Sequence, residues 1–322
     1  MCGRKEEKVE KRKIVFLDRK SIGSDLDLSE FESLGEIVNY DFTTAEQTAE
    51  RAKDADVLVL NKTLINEKTL GEAPRLKLIC VTATGTNNLD KDFLERRGIA
   101  WRNVAGYSTE SVAQHTFALL FYLLEQLPYY DHYVKSGSYM EDQLFTHFGR
   151  VFHEMSGQTW GIVGLGTIGR RVAQLADCFG CRVQYYSTSG NHHTKDWREV
   201  GWEELLSTSD IISIHAPLNE RTYHLFDQKA FSKMKSSAIL INVGRGPILV
   251  EEDLAEALED GVIRAAGLDV LDVEPMSRDN PLARITDSSR LLITPHIAWA
   301  TVEARRRLMD IICRQIRDFF AE

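Results

Sequence analysis

Three short stretches, each following an apolar run, carry side chains that a folded core would not require: Asn242-Val243-Gly244-Arg245-Gly246, Leu268-Asp269-Val270-Leu271-Asp272-Val273-Glu274-Pro275 and Thr294-Pro295-His296-Ile297-Ala298-Trp299. The guanidinium of Arg245 is a planar fork suited to a carboxylate, and its flanking glycines permit close approach. His296 can exchange a proton near neutral pH, while Glu274 can hydrogen-bond the other ring nitrogen and steady the protonated ring. Singly, each has a plain reading: Arg245 as a surface ion pair, Glu274 as a turn residue before proline, His296 as a satisfied histidine. Together they suit one task, in which Arg245 holds a substrate carboxylate and His296 passes a proton to or from the oxygen on the adjacent carbon.

Such groups must be positioned by strands, and the stretch Thr159-Trp160-Gly161-Ile162-Val163-Gly164-Leu165-Gly166-Thr167-Ile168-Gly169 shows how. An apolar run enters a glycine turn, and Val172, Leu175, Ala176 and Phe179 then recur at helical spacing up to Gly180. Strand, G-x-G-x-x-G, helix is the context of a dinucleotide site. Gly164 makes the tight turn, Gly166 lets the backbone near a pyrophosphate, and Gly169 lets helix and strand pack. Further apolar runs at 181–186, 211–214, 238–241, 265–268 and 291–293 alternate with helical segments, as in a doubly wound sheet.

The front of the chain has its own alternation at 14–17, 36–40, 57–60 and 76–81, with Thr44-Ala45-Glu46-Gln47 as a capping box. The loop Thr82 to Asp90, holding Thr84 and Gly85, is either a carboxylate cradle at a strand end or a plain turn before a helix from Asp90 to Arg97. Ser108 to Leu127 reads as a helix apolar on all sides, buried between domains or against a second subunit. His115 within it reads as a structural hydrogen-bonder. Residues 129–156 are aromatic and polar without period and read as a connection with interface helices. A closing helix spans about Thr301 to Phe320, with Arg305-Arg306-Arg307 as a solvated face.

Composition narrows the function classes. With 322 residues, a net charge of −9 and no apolar run of membrane length, a nucleic-acid or membrane partner is not expected. The mixed-charge start, 1–12, reads as a solvated tail and not a signal peptide. Five scattered cysteines suit reduced thiols in a cytoplasm, and Cys178-Phe179-Gly180-Cys181 reads as a pair of buried small hydrophobes. The histidines, including His192 and His193, have no metal-ligand spacing, so no metal is expected.

From about residue 50 to 320 the chain resembles the D-isomer-specific 2-hydroxyacid dehydrogenases, most like their glycerate dehydrogenase or hydroxypyruvate reductase members. The motifs, in order, are Thr84-Gly85-Thr86-Asn87, Gly164-Leu-Gly-Thr-Ile-Gly169, His215-Ala-Pro-Leu218, Asn242-Val-Gly-Arg-Gly246, Asp269-Val-Leu-Asp-Val-Glu-Pro275 and Thr294-Pro-His296. The resemblance implies an α/β protein of two domains. One is a flavodoxin-like substrate-binding (catalytic) domain over 13–103 and 297–322; the other is a Rossmann-type nucleotide domain over 104–296 that includes the dimerisation helix. It implies Arg245, Glu274 and His296 as the catalytic set, with backbone near Thr84 and Gly85, together with Arg245 and His296, holding the substrate. The implied cofactor lining is Thr109, Gly164, Gly166, Thr167, Ile168, Gly169, Ser187, His215, Ala216, Pro217, Val243, Gly244, Arg245, Asp269, His296 and Ala298, with Asp269 touching the nicotinamide carboxamide. The implied partners are a small 2-keto or 2-hydroxy acid and a second copy of the chain.

Two departures from that family stand out. Where NAD-preferring members carry an acidic residue, this chain has Tyr186-Ser187-Thr188-Ser189-Gly190. Repulsion against a 2′-phosphate is gone, yet no arginine stands nearby to attract one, so NAD is slightly favoured and NADP stays open. Some relatives also place a Trp from the connecting segment in the partner's site, whereas between Gly137 and Phe148 this chain offers Tyr139, Phe145 and Phe148. The expected reaction is reduction of a 2-keto acid, hydroxypyruvate first, to the D-2-hydroxy acid. A dehydrogenase for bulkier 2-keto acids, or a non-catalytic NAD-sensing corepressor or scaffold of the same fold, are the competing readings.

Overall fold

Runs such as Val57-Leu58-Val59-Leu60 and Leu78-Ile79-Cys80-Val81 have no polar face, which suits strands covered on both sides of a parallel sheet. The computed structural model describes residues 11–321, so the tail expected over 1–12 lies almost wholly outside the described residues. Contacts divide the chain into two units, one formed by the residues up to Ser108 with those from Ala300 onward, the other by Thr109–Trp299.

In the first unit, strands β1 (Lys13–Phe16), β2 (Glu36–Asn39), β3 (Val57–Leu60), β4 (Leu78–Val81) and β5 (Ala100–Arg102) pair in parallel in the order β2-β1-β3-β4-β5. This is the flavodoxin-like order. Every residue of β3 and β4 is buried. The helix Ala45–Ala52 begins with the expected capping box, in which Thr44 N–H donates to Gln47 Oε1 at 3.1 Å. Beyond β1 the buried Asp18 carboxylate accepts the N–H groups of Asn61 at 2.8 Å and Lys62 at 3.0 Å, tying the loops after β1 and β3 together.

The closing helix Val302–Phe319 belongs to this unit and buries Leu308, Met309, Ile312, Cys313 and Ile316 on one stripe. Its arginines are not simply a solvated face. Arg305 donates to Asp25 through Nη1 at 2.6 Å and Nη2 at 2.9 Å, and Arg307 Nε donates to the Tyr107 carbonyl at 3.0 Å.

In the second unit, β6 (Thr159–Val163), β7 (Arg182–Tyr186), β8 (Arg198–Glu199), β9 (Ile211–Ile214), β10 (Ile239–Asn242), β11 (Ala265–Leu268) and β12 (Leu291–Ile293) form a parallel sheet. The order is β12-β11-β10-β9-β6-β7-β8. Counted from β6 this is the doubly wound Rossmann order with one added strand, and its switch point, where ligands bind, lies between β6 and β9. The helix Thr109–Leu124 packs on β10 and β11 and on the helix Thr167–Cys178. Gly267 permits this, since a Cβ there would lie 3.1 Å from Leu119 Cβ. The helix stops at Leu124, short of the expected Leu127, because Gln126 turns into the left-handed region (φ 54°) before a second helix, Leu127–Lys135.

The seams between units fall at 108/109 and 299/300, a few residues beyond the expected 103/104 and 296/297. Local bonds account for the shift. Val104 N–H donates to the Ala83 carbonyl at 3.1 Å and keeps that stretch with β4, while Ser111 Oγ donates to the Ala298 carbonyl at 2.5 Å and keeps 298 with the second unit. Of the Cys178/Cys181 pair, Cys181 is buried as expected but Cys178, the last residue of its helix, is exposed.

Candidate active site

Arg245 is presented by a turn built on a fully buried amide. Asn242 ends β10; its Oδ1 accepts Gly244 N–H at 3.0 Å and its Nδ2 donates to the Arg245 carbonyl at 3.0 Å. The half-buried guanidinium donates to the Gly244 carbonyl at 2.7 Å. A side chain at Gly246 would collide with the Leu271 backbone, so this glycine sets the Arg245 loop directly against the loop that carries Glu274.

Asp269, one residue beyond β11 and 1% exposed, holds the histidine loop in place. Its Oδ1 accepts the Thr294 hydroxyl at 2.6 Å and Ile297 N–H at 2.8 Å, its Oδ2 accepts Ala298 N–H at 2.8 Å, and its carbonyl accepts His296 N–H at 2.9 Å. Those bonds hold His296 at φ 54°, a left-handed conformation uncommon for a residue with a Cβ. The resemblance has Asp269 touching a nicotinamide carboxamide; in this structure its carboxylate is engaged by the protein's own donors. Behind it, His115 Nε2 lies 2.9 Å from Thr294 Oγ1 and 3.5 Å from Asp269 Oδ1. Because Thr294 gives its hydrogen to Asp269, His115 Nε2 is the donor, fixing the tautomer. Burial lowers the His115 pKa, against the opposing pull of the Asp269 charge.

Glu274 and His296 meet at 2.7 Å, Oε2 to Nδ1, while Glu274 Oε1 accepts Leu271 N–H at 3.2 Å. One carboxylate oxygen thus anchors the loop and the other orients the ring. The side chains are 28% and 25% exposed, open enough to meet a small substrate.

The glycine turn fits a dinucleotide. Gly164 has φ 91°, and a Cβ there would sit 2.8 Å from the Ala216 backbone; a Cβ at Gly169 would strike the Gly164 carbonyl. Nothing lies within 4 Å of a Cβ built on Gly166, the N-cap of helix Thr167–Cys178, so its backbone is open to a phosphate. A cavity of about 400 Å³ opens here, lined by Thr109, Gly166, Thr167, Arg170, Arg171 and His192 among others. Gly164 N–H donates to the Tyr186 carbonyl at 3.0 Å and His215 N–H to the Val163 carbonyl at 2.8 Å, which places Ser187 and His215-Ala216-Pro217 on either side of the turn. Two buried polar atoms at these strand ends, Ser187 Oγ and His215 Nδ1, have no hydrogen-bond partner within the protein, as expected of a surface shaped for a polar ligand. Burial pushes the His215 pKa down to about 3, so the ring is neutral.

The expectation that no arginine stands near Ser187 is corrected. Arg170 Nη2 donates to the His193 carbonyl at 3.0 Å and Arg221 Nη1 to the Ser189 carbonyl at 3.3 Å. Both come from other elements, so only the fold shows them as neighbours. His193 is exposed as expected but pairs with Glu199 at 2.7 Å. Thr84 and Gly85 lie in the first unit beyond β4, where Thr84 Oγ1 donates to the Val104 carbonyl at 2.9 Å. Among the described residues no group of three or more His, Cys, Asp or Glu could hold a metal, and no helix is long and apolar enough to cross a membrane.

Comparison with known proteins agrees with this geometry. Residues 117–298 match the family model described as D-isomer specific 2-hydroxyacid dehydrogenase, NAD binding domain. The chain is 36% identical to a hydroxypyruvate reductase of Blautia hydrogenotrophica, covering 95% of this chain and 96% of the relative. It is 35% identical to a glycerate dehydrogenase of Methylorubrum extorquens, covering 96% of each. Among solved structures, an acyclic imino acid reductase in complex with NADPH and D-Arg superposes with a TM-score of 0.84 at 29% identity, covering 96% of this chain and 97% of that one. A glycine turn made for a dinucleotide, a histidine–glutamate pair whose loop lies against that of an arginine, and relatives matched over nearly their whole length lead to one conclusion: this chain belongs to the D-isomer-specific 2-hydroxyacid dehydrogenases, NAD(P)-dependent oxidoreductases acting on the CH–OH group of a 2-hydroxy acid.

Proposed function

We propose that this chain reduces hydroxypyruvate to D-glycerate, with Arg245, Glu274 and His296 as its catalytic residues. The observation that carries the reading is the 2.7 Å pairing of His296 Nδ1 with Glu274 on a loop set against that of Arg245. The guanidinium of Arg245 binds the substrate carboxylate and polarises its C2 carbonyl. Nδ1–H donates to Glu274, which leaves Nε2 to deliver a proton to the C2 oxygen in reduction and to take it back in oxidation. A reduced nicotinamide dinucleotide, its pyrophosphate on the glycine turn, would supply the hydride. Gly166, Thr167 and Ile168 would hold the pyrophosphate on the turn that Gly164 and Gly169 shape, and Thr109, the residues 215–217, Val243, Gly244 and Ala298 would line the cofactor. Asp269 acts by holding the His296 loop. In the first unit, the backbone N–H groups of Thr84 and Gly85 suit a carboxylate.

The partner in this reading is a second copy of the chain. Met140, Phe145 and Phe148 are each at least 85% exposed in the segment after helix Leu127–Lys135, a patch of the kind that marks an interface. The free thiols of the described cysteines suit the reducing cytoplasm proposed as its location.

Initial rates of NADH and NADPH oxidation with hydroxypyruvate, glyoxylate, pyruvate, phenylpyruvate and 2-ketoisocaproate test the substrate. Hydroxypyruvate is expected to give the highest kcat/KM. A preference for phenylpyruvate or 2-ketoisocaproate would replace it with the bulkier-substrate reading.

A further inference from the structure

The groups gathered at the end of β7 have no part in proton transfer. In a dinucleotide-binding sheet the residue after the second strand faces the ribose 2′ position, where a carboxylate accepts from a 2′-hydroxyl and repels a 2′-phosphate. Here that residue is Ser187, and the run 186–193 contains no Asp or Glu. The Ser187 hydroxyl is buried and unpartnered. Arg170, in the first turn after the glycines, and Arg221, beyond β9, each touch this loop through a single N–H on a backbone carbonyl, at 3.0 and 3.3 Å. A guanidinium has five donors, and among the described residues neither of these forms an ion pair with a carboxylate. The two acidic groups that follow the loop in the chain are already engaged. Glu199 accepts from the Tyr185 hydroxyl at 3.0 Å and pairs with His193, and Asp196 accepts the Thr194 hydroxyl at 2.8 Å. Arg171, also lining the cavity, is paired with Glu110 at 3.0 Å.

We propose that Ser187, Arg170 and Arg221 form a subsite for the 2′-phosphate of NADP(H), and that this chain selects NADPH over NADH, opposite to the slight preference for NAD expected from the sequence alone. This rests on the nucleotide-domain reading above. The Ser187 hydroxyl, with no partner in the protein, can donate to a phosphate, and guanidinium–phosphate bonds replace the weaker guanidinium–carbonyl ones. A 2′-hydroxyl gains no such charge-assisted bonds.

Calorimetric titration of the full chain with 2′,5′-ADP and with 5′-AMP isolates the phosphate from the reaction. 2′,5′-ADP is expected to bind at least about tenfold tighter, with the advantage shrinking as NaCl is raised. Arg221→Ala should reduce the advantage to about threefold or less with 5′-AMP affinity held, and Ser187→Asp should turn the preference towards 5′-AMP. Equal affinities in the unmodified protein, or an advantage that survives both substitutions, overturn the subsite. Failure of the underlying reading looks different: neither compound binds, nor does NADH by fluorescence, and the subsite falls with it.

Discussion

His296 combines a left-handed backbone with a side chain bonded to Glu274, so its ring is fixed from both ends. His296→Ala should lower kcat by about 10²–10⁴-fold, the usual contribution of a positioned acid–base group, and leave NADPH affinity little changed. Pre-steady-state rates with fluorescence-measured cofactor binding check this, and an unchanged kcat removes His296 from the reaction. Glu274→Gln takes a negative charge from 2.7 Å away. The reduction kcat should then fall while cofactor affinity is held, because the proton-donating ring loses the carboxylate that orients it. An unchanged kcat would contradict the pairing. Arg245, Glu274 and His296 were legible in the sequence as candidates, because residue type and position at strand ends suffice to nominate them. His115 as a donor to Thr294, and the engagement of Asp269 by its own loop, were not, because both depend on contacts across more than a hundred residues or on backbone direction.

At the scale of elements, strand alternation and glycine spacing carried most of the fold, since a parallel sheet buried on both faces needs continuous apolar runs and helical returns. What they could not carry was where helices stop and what lies beside a loop. Gln126 breaks a helix whose apolar pattern runs on past it, and Arg170 and Arg221 reach the Ser187 loop from elements remote in sequence. The glycine turn makes the sharpest prediction at this scale. Gly164→Ala puts a Cβ 2.8 Å from the Ala216 backbone at φ 91°, and should cost about 1–3 kcal/mol of stability while weakening dinucleotide binding. Gly166→Ala meets no protein atom within 4 Å and should hold the melting temperature while impairing cofactor affinity. Thermal melts with and without NADPH separate the two, and identical behaviour of both variants would argue against a pyrophosphate over Gly166.

For the molecule as a whole, one buried histidine ties folding to pH. The His215 ring keeps a partly exposed edge, but its Nδ1 is buried and its pKa falls to about 3 from an ordinary 6.5. The unfolded chain therefore binds this proton first as pH drops, so full stability at neutral pH declines below about 6.5 and continues to fall towards 3. The loss amounts to about 2 kcal/mol by pH 5, reduced by whatever solvent reaches the ring. His215→Gln should flatten the fall in melting temperature between pH 7 and 4, and parallel curves would show that His215 does not set it. Assembly is testable at the same scale. Under the proposed pairing the unmodified protein should scatter as a dimer and Phe145→Ser with Phe148→Ser as a monomer; an unaltered dimer would place the interface elsewhere, and a monomeric unmodified protein would remove the pairing.

The most direct measurement is chiral chromatography of the product formed from hydroxypyruvate and NADPH, quantified against the nicotinamide oxidised. D-glycerate alone, one mole per mole of NADPH, is the expected result. L-glycerate, a racemate, or no product while NADPH still binds would contradict the assignment of Arg245, Glu274 and His296 as a D-specific reducing site.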